Sequence, residues 1–170
     1  LQLLALPAME EPLSLDAKPL RAEKAKVLEA VRIDDLTNSF ALGQYAAGYQ
    51  GGEHVNGFFD ENDIPADSRT ETFAALKVSI ANRRWEGTPF YLRAGKRLGR
   101  RVTEIAVLFK KSADRLFGKE TEVPAGQNAI VIRVQPNEGM TIRFAAKVPG
   151  SQMEIRDVNM DFGYGHSFTE

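Results

Sequence analysis

The chain has 170 residues, enough for one domain with its own hydrophobic core, and 43% apolar with 26% charged residues is the balance of a folded protein. A formal net charge of −1 supplies no overall field toward nucleic acid or an anionic membrane. The absence of cysteine excludes a disulfide framework and any thiolate-bound zinc, and is compatible with a reducing cytoplasm. In chain order, residues 1 to about 10, opening with the apolar run Leu1–Leu6, are expected to be the tail of a buried helix. Pro7 should end or kink it, because proline lacks an amide proton and its ring crowds the preceding turn. The run is too short to span a bilayer and lacks the basic flank of a signal peptide. Its uncapped start, and a far end that stops just after the turn-like stretch from Phe162 to Glu170, lead us to expect that both ends are cut from a longer protein.

Pro19 suits a first helical turn, and Leu20, Val27, Leu28 and Val31 share one stripe, which predicts a helix over 20–32. Ser39 to Tyr45 reads as a short strand. The stretch from Ala46 to Ser68, with four glycines, Pro65 and five acidic residues, reads as a loop long enough to be mobile or functional. Thr70 to Ile80 and Phe90 to Gly95 follow as strands. Period-2 alternation then predicts three more, Val102 to Phe109, Ala129 to Val134 and Thr141 to Ala146. Helices first and strands afterwards indicate an α+β domain with a mainly antiparallel sheet. No glycine-rich G-x-G-x-x-G turn follows a strand, so no dinucleotide fold is visible in this piece.

Charge is uneven. Arg83, Arg84, Arg93, Lys96, Arg97, Arg100 and Arg101 are opposed within their stretch only by Glu86, while Glu53, Asp60, Glu61, Asp63, Asp67 and Glu71 precede them with Arg69. The turn after Gly95 could offer ammonium and guanidinium groups to a phosphate, with Gly95 and Gly99 permitting close backbone approach. The plainer alternative is a solvated basic turn, or salt bridges to the acidic loop. Nucleic-acid binding fits less well, since no aromatics interleave the cations within residues 92–101. His54 and His166 sit in glycine-containing loops and match no metal-ligand or triad spacing. Arg133 and Gln135, at a strand exit, either reach a ligand or face solvent. Trp85 is expected to anchor a core or an interface.

Several longer strings carry a family resemblance. They are Leu1-Gln-Leu-Leu-Ala-Leu-Pro-Ala-Met-Glu-Glu-Pro12, Leu20-Arg-Ala-Glu-Lys-Ala-Lys-Val-Leu28, Gly43-Gln-Tyr-Ala-Ala-Gly48 and Asp67-Ser-Arg-Thr-Glu-Thr-Phe-Ala-Ala75. Trp85-Glu-Gly-Thr-Pro-Phe-Tyr-Leu-Arg-Ala-Gly-Lys-Arg97, Val102-Thr-Glu-Ile105, Val131-Ile-Arg-Val-Gln-Pro-Asn-Glu138 and Met160-Asp-Phe-Gly-Tyr-Gly165 complete the set. Together they resemble, collinearly over nearly the whole chain, the C-terminal domain of glucose-6-phosphate dehydrogenase. The resemblance implies a cytoplasmic two-domain enzyme of the pentose phosphate pathway, oxidising glucose 6-phosphate to the 6-phosphogluconolactone with NADP, or NAD in some members. An N-terminal Rossmann domain, absent from this chain, would bind the coenzyme. Residues 1–170 would be part of the substrate-facing domain, whose large antiparallel sheet forms the dimer, or the tetramer in some assemblies.

The resemblance also implies roles. Lys96, Arg101 and Gln135 match substrate contacts at the sugar phosphate, while the remaining cations of the run stay solvated surface. The general-base histidine of the family would lie two residues before Leu1, so this chain holds no catalytic residue, and neither His54 nor His166 takes its place. The chain alone is therefore expected to be inactive, with a non-catalytic sugar-phosphate-binding or scaffolding domain as the alternative. Two departures stand out. Pro7 replaces an apolar residue, and of the structural second NADP site of some animal members only Arg93 and Arg133 match. Thr141, Val102 and Ala106 replace its tyrosine, lysine and arginine, so no structural NADP is expected; appreciable NADP affinity of this piece would contradict that.

Overall fold

The apolar start of the chain does form a helix. In the computed structural model, which describes residues 1–110, 127–150 and 155–166, α1 (Gln2–Ala8) buries Leu4, Ala5 and Ala8. It runs one residue past Pro7, and the Met9 amide still donates to the Ala5 carbonyl at 2.9 Å. Helix α2 (Ala17–Glu29) carries Pro19 in its first turn, as the sequence predicts. It starts three residues before the predicted 20 and stops at Glu29, because Val31 and Arg32 leave the helix to pair with Ile80 and Ser79 as β1 (Val31–Arg32). Val31 thus belongs to the same buried stripe by a different route, which is why periodicity placed it in the helix.

The chain divides into two units, one spanning Leu1–Arg100 and the other beginning at Arg101. In the first, β5 (Phe73–Ile80) is central. It pairs antiparallel with β1 and β2 (Phe40–Gly43) along one edge and with β6 (Phe90–Gly95) along the other. Alternation turns Leu76, Val78 and Ile80 to one face, where they pack with Leu4 and Ala8 of α1, Val27 of α2, and Phe90 and Leu92 of β6. Val78 and Ile80 are 5% and 1% exposed, and burying such a side chain stabilises by roughly 1.5–3 kcal/mol. Trp85 is the anchor expected of it. Its indole Nε1 donates to the Ala8 carbonyl at 2.9 Å and its ring meets Phe90 edge-on at 5.2 Å.

The stretch from 46 to 68 is not a bare loop. It holds a hairpin of β3 (Gly48–Gln50) and β4 (Glu53–Val55), then a 3-10 turn at Phe58–Asp60. These strands are only three residues long, and β3 opens on a glycine, so they carry no alternation that sequence could reveal.

The second unit is an antiparallel meander in the order β10-β9-β8-β7. Its strands are β7 (Thr103–Leu108), β8 (Ala129–Gln135), β9 (Gly139–Lys147) and β10 (Ile155–Gly163). The first three were expected within two residues. The fourth was not, since Phe162 and Gly163 read as turn; residues 167–170 of that stretch lie outside the described residues. Register aligns Ile105 and Val107 with Ile132 and Ile130, these with Met140 and Ile142, and these in turn with Phe162 and Met160, so one face is apolar across all four strands. The other face carries Glu104, Arg133, Gln135, Thr141, Arg143, Asp157, Asn159 and Asp161. The α+β class with antiparallel pairing holds, with that pairing divided among sheets of four, four and two strands in the described residues.

Candidate functional site

Lys96 directly follows β6, in register with the start of β5. Gly95 pairs with Phe73, and the Lys96 amide extends the ladder by donating to the Thr72 carbonyl at 2.8 Å. A Cβ on Gly95 would lie 3.0 Å from the Phe73 ring and 3.2 Å from Leu98, so the missing side chain makes room for the protein's own residues. The Lys96 side chain is exposed, and no carboxylate of the described residues pairs with it.

Arg97 differs from its neighbour. Its backbone is left-handed at φ 51°, a conformation that costs a non-glycine residue about 1 kcal/mol or more. Its guanidinium hydrogen-bonds Glu61 and lies over the Tyr45 ring at 5.2 Å, while the Tyr45 hydroxyl donates to Glu61 Oε1 at 3.3 Å. The Tyr45 side chain first, and the Glu61 charge after it, hold the Arg97 pKa above the usual guanidinium value. Gln50, on the β3–β4 hairpin, donates to the Leu98 carbonyl at 3.2 Å. The segment supplying Tyr45, Gln50 and Glu61 is itself pinned: the Tyr45 amide donates to Thr72 Oγ1 at 2.9 Å, and Gln44 Nε2 to the Ser68 and Thr70 carbonyls at 3.1 and 3.0 Å. Of the two sequence alternatives for this run, ion pairing to the acidic loop is what Arg97 does. Arg84 bonds Glu10 at 2.7 Å and lies over Trp85, and both arginines remain exposed, so the solvated-surface reading holds beside these pairings.

Arg101 opens the second unit, exposed and without an ion pair among the described residues. Gln135 ends β8, and its Nε2 donates to Thr103 Oγ1 at 3.2 Å, opposite which it lies in register. A register shift between Thr103 and Glu104 and a cis bond from Gln135 to Pro136 flank the pair. Within this unit, Gln135 and Arg101 are thus linked through Thr103, two residues along the chain from Arg101. Arg133 is engaged internally, donating to Thr141 Oγ1 at 2.6 Å and pairing with Asp161 at 3.6 Å.

His54 is exposed and meets Tyr49 edge-on at 5.7 Å; His166 closes the 3-10 turn Tyr164–His166. Among the described residues no three His, Cys, Asp or Glu side chains gather as a metal site. An open depression of about 890 Å³ lies at the far end of β5 from Gly95. Asp34, Asp35, Lys77, Arg83 and Glu86 line it with both signs of charge, and none of the residues expected at the site does.

Residues 1–170 match the family model described as "Glucose-6-phosphate dehydrogenase, C-terminal domain". The chain belongs to the glucose-6-phosphate dehydrogenase family. It is 57% identical over its whole length to glucose-6-phosphate 1-dehydrogenase 2 of Mycobacterium tuberculosis and covers 33% of that protein. To the glucose-6-phosphate 1-dehydrogenase of Aggregatibacter actinomycetemcomitans it is 45% identical, with 96% of the chain and 33% of the relative covered. A glucose-6-phosphate dehydrogenase solved in complex with its substrate glucose 6-phosphate is similar at TM-score 0.79 and 37% identity, over 96% of this chain and 32% of that one. The crystal structure of the enzyme from Mycobacterium avium gives 0.77 and 34%, over 96% and 33%. The chain thus spans about a third of the length of these family members. No helix among the described residues is long and apolar enough to cross a membrane.

The sequence missed the Tyr45–Glu61–Arg97 cluster as a unit. Its only signal was the acidic loop facing the basic run, which names no partners.

Proposed function

We propose that this chain is part of the substrate-facing domain of an enzyme that oxidises glucose 6-phosphate at C1 to the 6-phosphogluconolactone, with NADP as hydride acceptor. The observation that carries the reading is the exposed ammonium of Lys96, without a carboxylate among the described residues, on a turn whose neighbouring guanidinium is already neutralised by Glu61. A phosphate dianion is attracted to the uncompensated cation and not to the paired one. In the second unit, taken by itself, Arg101 is an exposed cation without an ion pair among the described residues, and Gln135 has an amide able to donate to a phosphate or sugar oxygen.

These residues bind and orient; they move no proton. The general base belongs to a part of the protein outside this chain. So does the coenzyme site. Every strand pair among the described residues is antiparallel, and no glycine-rich turn leads from a strand into a helix, so these residues do not fit a dinucleotide. A structural second NADP is not part of the reading, because Arg133 is occupied by Thr141 and Asp161. We place the enzyme in the cytoplasm, where a cysteine-free chain acting on a sugar phosphate fits.

The apolar face of the second unit supports a homodimer. Val107, Ile132, Val134, Val158, Met160 and Phe162 are each between 38% and 48% exposed on it, a contiguous patch of the kind that marks an interface.

In the full-length protein, Lys96→Ala is expected to raise the KM for glucose 6-phosphate roughly ten- to a hundredfold, the worth of one charge-assisted contact, with the coenzyme KM unchanged. Steady-state kinetics on both substrates checks this. An unchanged KM removes Lys96 from the site.

A further inference from the structure

We propose that Arg97 is a positioning residue, acting with Glu61 and Tyr45 to hold the turn after β6 so that Lys96 is presented to the phosphate of the substrate. The inference rests on the reading of Lys96 as a phosphate contact and adds a residue that this reading does not contain.

Three independent ties converge on Lys96 to Leu98. The Lys96 amide is bonded to Thr72, the Arg97 side chain to Glu61 and Tyr45, and the Leu98 carbonyl to Gln50. Two of them come from the segment between Tyr45 and Glu61, which the sequence reads as a loop and which the structure builds as a hairpin and a 3-10 turn. A long segment folded against a three-residue turn needs a reason, and bracing that turn supplies one. The brace is needed because Arg97 is left-handed, a conformation an arginine holds only where its surroundings over-determine it. With glycine on either side, at Gly95 and Gly99, the turn has little stiffness of its own.

The same geometry argues against Arg97 as a phosphate ligand. Its charge is matched by Glu61, and a phosphate approaching it meets that carboxylate. Lys96 has a long stem, so its usefulness depends on where its Cα stands and which way the turn directs it. A ligand group held by its own supporting contacts binds more tightly than one that must be ordered on arrival.

The test is steady-state kinetics on the full-length protein carrying Arg97→Ala, Glu61→Gln, Lys96→Ala and the Arg97→Ala/Lys96→Ala pair. Arg97→Ala and Glu61→Gln are each expected to raise the KM for glucose 6-phosphate about three- to tenfold, leaving the coenzyme KM unchanged. Added to Lys96→Ala, Arg97→Ala should raise it no further, since the group it positions is already gone. A full multiplicative effect in the pair makes Arg97 a contact in its own right and overturns the inference. So does a loss of kcat and melting temperature at unchanged KM, which is a folding role only. A raised KM in Lys96→Ala beside unchanged values in both Arg97→Ala and Glu61→Gln overturns the inference alone. An unchanged KM in Lys96→Ala overturns the reading of Lys96 and this inference with it.

Discussion

At the scale of single residues, side chains that look alike in sequence have different fates. Arg84 and Arg97 are drawn to Glu10 and Glu61, 74 and 36 residues away, whereas Lys96 and Arg101 have no such partner among the described residues. Nothing local separates these cations; only the fold brings the carboxylates to two of them. Asp35 is a residue whose role is electrostatic as well. Its carboxylate accepts from the Asn38 side chain and from the Thr37 and Asn38 amides, and these bonds, the Asn38 side chain first, hold its pKa below the usual 3.8. A depressed carboxylate contributes stability that is present above its unfolded pKa and is lost as pH falls through the lower, folded value. The difference in urea midpoint between the wild type and Asp35→Asn should therefore be present at pH 7 and shrink as pH falls below 3.8. A difference that does not change with pH assigns the turn to hydrogen-bond geometry and not to charge.

At the scale of elements, legibility followed strand length and alternation. β6 was read at its true bounds, Phe90 to Gly95, and β7, β8 and β9 within two residues, because each shows enough period-2 pattern to separate two faces. β10 escaped, although Val158, Met160 and Phe162 alternate, since Gly163 and Gly165 made its end look like a turn. The β9–β10 pairing also depends on a residue with no side chain. A Cβ at Gly139 would lie 2.3 Å from the Phe162 carbonyl and 2.9 Å from the Arg133 guanidinium. Neither is free to move, the first being backbone of the paired strand and the second tied to Thr141. Gly139→Ala is expected to destabilise by about 1–3 kcal/mol, read as a lower denaturant midpoint. An unchanged midpoint means the strand ends can part without cost.

At the scale of the whole molecule, the apolar face of the second unit calls for cover. If the proposed dimer forms there, a charge at Met160, 47% exposed in the middle of β10, should oppose association far more than folding. Met160→Glu in the full-length protein is expected to shift sedimentation from dimer toward monomer with little change in melting temperature. A dimer that persists, with an unchanged association constant, moves the interface elsewhere.

The sequence by itself determined the α+β class, most of the strands and the family, and through the family resemblance it nominated Lys96, Arg101 and Gln135 as the residues proposed to meet the substrate. These rest on local periodicity and on strings of residues that keep their order whatever the fold does with them. It read the acidic stretch as a loop where the fold builds a hairpin and a 3-10 turn, and it left open which cations meet a carboxylate and which side of the second sheet is apolar across all four strands. Those belong to the tertiary structure, because an ion pair, a left-handed turn held from outside and a sheet face assembled by register are made by residues far apart along the chain. No pattern within a window of neighbouring residues contains them.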